Sequence, residues 1–133
     1  MTDTALAPDR CSPPAEDASE TIFREGFYSI LYDGPAGHGV LLACLSAGRI
    51  VGADMGGGLL SGEFQVRGGD LVAECTFQFS AGKTLVTGQT LAEDVTQRRK
   101  LVIPLRMFRG QRCTVDIGFG PVTGRGKFVA DPV

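Results

Sequence analysis

The chain has 133 residues, and its 13 Lys and Arg against 15 Asp and Glu leave a formal net charge of -2, which favours neither nucleic acid nor a membrane surface as a partner. A chain of this length folds as one domain that buries about two thirds of its unfolded surface, so a core is possible without staples. Cys11, Cys44, Cys75 and Cys113 form no CxxC pair, His38 is the single histidine, and no apolar run approaches the ~18 residues of a membrane span. Disulfide scaffolds, zinc sites, secretory leaders and membrane helices are therefore not expected; reduced thiols in the cytoplasm are.

Residues 1–22 are rich in Pro, Ala, Asp, Ser and Glu, with Pro8, Pro13 and Pro14 against regular structure, and read as a disordered tail that leaves Cys11 exposed. The domain is then 23–133. Short alternating runs cut by glycine begin with 26–32, where Tyr28, Ile30 and Tyr32 share one face, and turn at Asp33-Gly34-Pro35 into 40–45. Ser46-Ala47-Gly48 separates that strand from 49–54, completing a meander.

After the loop Gly56-Gly57-Gly58, Leu60, Gly62, Phe64 and Val66 alternate with polar residues. Across Gly68-Gly69 the pattern continues through Leu71, Ala73, Cys75, Phe77 and Phe79, making 59–79 the clearest hairpin. Further strands are expected at 84–90, 99–105, 111–119 and 126–130, with 92–97 a helical turn or a loop. So many short strands with so little helix predict an all-β, up-and-down antiparallel barrel of about eight strands, with a sandwich as the alternative. Gly52, Gly62, Gly88 and Gly118 fall inside these strands and read as bends.

Motifs for chemistry are weak. Ala81-Gly82-Lys83-Thr84 resembles the end of a phosphate loop, but Phe77 stands where the first glycine is required and a strand pattern follows. Gly58 to Gly62 is out of register for a nucleophile elbow, and Gly37-His38-Gly39 lacks the third glycine of a dinucleotide fingerprint. His38 reads as a solvated turn residue, and Glu63, Glu74 and Asp116 as residues of solvated strand faces. Asp54 ends a strand before the triple glycine, where it is expected to hydrogen-bond the loop backbone or to meet a ligand. Arg98, Arg99, Lys100, Arg106, Arg109 and Arg112 form a basic run that strand alternation divides among several directions, so a solvated face is expected before an acidic protein partner, and nucleic acid last.

Gly26-Phe27-Tyr28-Ser29-Ile30, Gly39-Val40-Leu41, the run Gly48-Arg49-Ile50-Val51-Gly52-Ala53-Asp54, and Leu101-Val102-Ile103-Pro104 together resemble the GrlR-type negative regulators of type III secretion. The resemblance spans about residues 25 to 130 and implies a calycin-like (lipocalin-like) barrel that forms a homodimer and represses virulence genes by sequestering a DNA-binding activator. In that family an acidic run engages the activator; the corresponding turn here, Arg67-Gly68-Gly69-Asp70, carries one charge of each sign.

Two functions are expected from this sequence, neither of them enzymatic and neither requiring a cofactor or a metal. One is a regulator that binds a transcriptional activator, with Arg67, Gly68, Gly69 and Asp70 as the candidate contact loop. The other is a carrier or sensor of a small hydrophobic ligand, held by Tyr28, Ile30, Tyr32, Asp54, Phe64 and Phe77 inside the barrel.

Overall fold

The computed structural model describes residues 23–132. The expected tail, 1–22 with Cys11, lies outside the described residues, as does Val133. Eight strands follow one another: β1 (Gly26–Gly34), β2 (Gly37–Ser46), β3 (Arg49–Asp54), β4 (Leu59–Arg67), β5 (Asp70–Phe79), β6 (Val95–Pro104), β7 (Cys113–Asp116) and β8 (Pro121–Ala130). They form a single antiparallel sheet in the order β6-β5-β4-β3-β2-β1-β8-β7. This is the up-and-down architecture that the alternating pattern predicts.

The first and last strands pair, Ile30 opposite Gly126 and Tyr32 opposite Gly124, so the sheet curls round and its two free edges, β6 and β7, face each other. No ladder joins those edges among the described residues. A 3-10 turn, Leu105–Arg109, connects them, and Arg99 bridges higher up, with Nε donating to the Gly118 carbonyl at 3.3 Å and the guanidinium 5.0 Å from the centre of the Phe119 ring. The barrel is thus nearly closed.

Turn chemistry sets the register. Between β2 and β3, Ala47 (φ 54°) and Gly48 (φ 78°) both take left-handed backbone, the twist that a two-residue hairpin turn demands, and Ser46 is held opposite Arg49. The Gly68-Gly69 turn likewise places Phe64 opposite Ala73 and Leu60 opposite Phe77, so the inward sets expected on 59–79 meet face to face.

Because every strand reverses direction, the connections sort to two ends. Turns at 34–37, 54–59, 79–95 and 116–121 gather at one end; those at 46–49, 67–70 and 104–113 lie at the other, with Phe23 and Asp131. The second end is plugged. There Phe23 stacks on Tyr28 at 5.6 Å between ring centres, and Phe108 meets Phe23 and Tyr28 edge-on at 5.3 and 5.2 Å. Phe64 and Phe128 complete the cluster. Aromatic contacts of this kind each add about 0.5–1.5 kcal/mol beyond the area they bury.

Four boundaries differ from expectation. Residues 84–90 are not a wall strand: only the Thr84–Thr90 bridge forms, and the segment folds back on itself through Leu85 N to Gln89 O and Leu91 N to Lys83 O. Gly82 (φ 88°) and Gly88 (φ 109°) permit that reversal, so its apolar residues are spent on a loop. Residues 95–97, read as a helical turn or a loop, begin β6, where an edge position tolerates a polar strand. β7 is confined to Cys113–Asp116 because the Asp116 carboxylate accepts from Gly118 N and turns the chain, and β8 starts at Pro121 instead of 126. Of the four glycines assigned to strands, Gly52 and Gly62 lie in strands while Gly88 and Gly118 lie in loops.

Candidate functional site: a cavity in the open half of the barrel

Above the aromatic plug the barrel is hollow. A cavity of about 690 Å³ runs from the loop end down to Met107 and Phe108, which form its floor. Ile30, Leu60, Leu101, Ile103 and Val115 line its wall, all of them inward positions of their strands. No polar or charged residue is fully buried among the described residues, and the residues that line the depth of this space are apolar.

Its polar groups stand at the mouth. Tyr32 projects inward from β1 opposite Gly39, and a side-chain carbon built on Gly39 would sit 2.5 Å from the Tyr32 hydroxyl. The tyrosine ring therefore lies across β2 in the space that only glycine leaves, and its Oη donates to Asp54 Oδ1 at the end of β3. Burial foremost, then the hydrogen bond to Asp54 and the charge of Asp54, hold the Tyr32 hydroxyl well above the ordinary tyrosine range, so it stays a donor.

The other carboxylate oxygen of Asp54 accepts from Gly56 N at 2.7 Å, while its own backbone N–H donates to Gly58 O. Asp54 thus fixes the triple-glycine loop, as expected, and also faces the cavity. Its cavity-facing position follows from strand parity, since Ile50, Gly52 and Asp54 alternate on the inner side of β3.

The loop 80–94 lies over one side of the mouth. Lys83 Nζ donates to the Gly56 carbonyl, Ala36 N donates to Val86 O at 2.7 Å, and Gln89 Nε2 reaches Phe119 O at 2.8 Å. Three separate turns of the open end are tied together in this way. Lys83, Leu85 and Val86 consequently line the cavity, a role hidden in the sequence by their strand-like alternation.

Of the six residues expected to hold a ligand, Ile30, Tyr32, Asp54 and Phe77 line the cavity. Tyr28 and Phe64 do not: they belong to the plug beneath the floor, where Tyr28 Oη is spent on the Arg24 carbonyl at 2.6 Å. They share the inward face of the cavity-lining residues but sit lower along their strands, a distinction that periodicity does not carry. Strand periodicity does not reveal the floor either. Met107 and Phe108 stand inside the basic run, and an apolar pair flanked by Arg106 and Arg109 is the one signal that this link is buried.

The turn Arg67, Gly68, Gly69 and Asp70 lies at the plugged end, away from the cavity mouth, with Gly69 O accepting from Leu105 N at 2.9 Å. His38 is exposed at the rim. The basic run is dispersed, with Arg98 on Glu74 at 2.9 Å, Arg112 on Asp33 at 3.5 Å and Arg99 across the seam. Cys44 and Cys75 are free thiols; burial pushes that of Cys75 up to about 11. Among the described residues no group of three His, Cys, Asp or Glu is arranged to hold a metal, and no helix is long and apolar enough to cross a membrane.

Comparison with protein-family models, with curated proteins and with solved structures returns no match for this chain.

Proposed function

We propose that this protein is a non-enzymatic carrier or sensor that holds a small, largely apolar molecule in the open half of its barrel. The cavity carries the proposal: about 690 Å³ of apolar interior, floored at one end and reached from the other, lies within the range of about 300–1,000 Å³ typical of small-molecule sites. A few convergent polar groups at the mouth complete the pattern. The Tyr32 hydroxyl and the Asp54 carboxylate there are bonded to each other and to the loop backbone, which supports binding over catalysis. Free thiols at Cys44 and Cys75 accord with a reducing compartment, the cytoplasm in this proposal.

Titration with a neutral, environment-sensitive dye tests it. Micromolar binding by the wild type, weakened by about ten-fold or more in Leu101→Trp, is expected, because the indole fills space that the leucine leaves open. Absence of dye binding, or equal binding by both proteins, would refute the carrier.

A second reading rests on the outside of the barrel. Leu31, Leu42, Val51 and Leu59 are about half exposed on the outer faces of β1 to β4, where Ala53 lies between Leu42 and Leu59 across the ladder. A contiguous apolar strip supports a regulator that works through protein contacts, first with a second copy of itself and then with a transcriptional activator, as the GrlR resemblance implies. Sedimentation of the wild type as a dimer and of Leu42→Glu as a monomer is the expected result; a monomeric wild type counts against it.

A further inference from the structure

The interior of the cavity and its mouth differ in chemistry, and the difference specifies a ligand. Isoleucine, leucine, valine and phenylalanine side chains line the depth, whereas Tyr32, Asp54, Lys83 and Thr84 are all at the rim. Such a vessel suits an amphiphile that enters tail first and leaves its head group at the mouth.

Most rim groups are already engaged. Thr84 Oγ1 lies 3.0 Å from Thr90 Oγ1, Lys83 Nζ donates to Gly56 O, and Asp33 pairs with Arg112. The one O–H of Tyr32 is donated in its hydrogen bond to Asp54. Asp54 is different. Its two oxygens each accept one bond, from Tyr32 Oη and from Gly56 N, and a carboxylate has about four lone-pair positions. What the inner rim offers is therefore acceptor capacity: the remaining lone pairs of Asp54 and those of the Tyr32 oxygen. A head group that meets them must donate, and a negative one is repelled.

On the basis of the ligand reading above, on which this rests, we propose that the cavity takes an amphiphile with a hydrogen-bond-donating head group, a primary alkylammonium before all others. Asp54 reads the head group. Tyr32 is a positioning residue that holds the carboxylate, and Gly39 makes room for it. An alcohol of the same chain satisfies the acceptors without the charge and ranks second; a fatty acid ranks last. Lys83 and His38 are the rim residues that would reverse this order, since the Lys83 ammonium has two further N–H donors beyond the one engaged with Gly56 O and an imidazole carries an N–H donor.

Displacement of the neutral dye at neutral pH by dodecylamine, dodecanol and dodecanoate, each below its aggregation limit, tests the order. The amine is expected to displace dye from the wild type at a concentration lower than the acid by about ten-fold or more, with the alcohol between them. Asp54→Asn should bring amine and acid within about three-fold of each other, and Tyr32→Phe, which keeps the carboxylate and removes its tether, should narrow the gap part of the way. Each ratio is taken within one protein, so a general loss of affinity cancels.

Equal or better displacement by the acid overturns the proposal, and loss of that acid preference in Lys83→Met would assign the head group to Lys83. An amine preference that survives Asp54→Asn overturns the role of Asp54. If no dye binds to the wild type, the carrier reading fails and this one falls with it; if dye binds and the acid wins, only this one fails.

Discussion

The end of the barrel around Phe108 and the end around Tyr32 are walled by the same strands, yet one is solid and the other hollow. At the plugged end five aromatic rings from β1, β4, β8, the 3-10 turn and the segment before β1 converge on the axis. At the open end three more, Phe77, Phe79 and Phe119, pack against one another on one side of the wall, 5.6 to 6.0 Å apart, beside the seam that Arg99 bridges. Inward positions opposite Tyr32 are glycines, Gly39 on β2 and Gly124 on β8. Aromatic content is thus similar at the two ends; what differs is whether the rings reach the centre. Filling an eight-stranded barrel takes large side chains on the axis, and where they stay at the wall a ligand-sized space remains.

This contrast can be broken or sharpened by experiment. Phe108→Ala removes the ring shared by the plug and the cavity floor and is expected to cost about 3–5 kcal/mol in urea unfolding. An unfolding midpoint close to that of the wild type would show that the plug is not the stabilising half. A paired comparison comes next: Leu71→Ala, at a position with no exposure and no contact with the cavity, should fall near the upper part of the ~2–5 kcal/mol range for such changes. Leu101→Ala, whose side chain already borders empty space, should fall near the lower part, since fewer contacts are lost. Equal costs would mean that the hollow half is as tightly packed as the plug.

Alkaline pH probes burial on both sides of that boundary. The Cys75 thiol is raised from 9.0 to about 11, so the stability linked to its neutral form is complete below pH 9 and is lost as pH climbs to about 11, roughly 2–3 kcal/mol in all. Tyr28 and Tyr32 are raised too, chiefly by burial, and add to the loss above pH 10. Unfolding free energies measured from pH 8 to 11 should fall along this course, and Cys75→Ala should flatten its first part. The smallest effect belongs to Tyr32→Phe, about 1 kcal/mol, because Asp54 at the mouth can replace the lost bond with water. A cost of several kcal/mol there would mean that the mouth is closed to solvent.

Much of the barrel was legible. Turn residues at Gly68-Gly69 and Ala47-Gly48, with period-two alternation on either side, fixed hairpins whose registers follow from the turns alone. Asp54 stands out in the sequence because an acid before three glycines has an obvious backbone to cap, and Ile30, Tyr32 and Phe77 because their parity points inward. The segment 84–90 misled for the same reason: Leu85 and Val86 satisfy a strand pattern while serving to cover the mouth. Nor does alternation separate Tyr28 and Phe64 from the cavity-lining residues, since depth along the axis depends on the stagger between strands.

By itself, then, the amino-acid sequence determined the strands from β1 to β5, which side of each is apolar and where their hairpins turn, because these depend on backbone conformation and on neighbours one or two positions away. Only the tertiary structure decided that β1 pairs with β8, that Met107 and Phe108 form a floor, and that Tyr32 crosses Gly39 to reach Asp54. Those outcomes join residues about 20 to 100 positions apart, and they depend on how a curled sheet brings distant side chains to the same height.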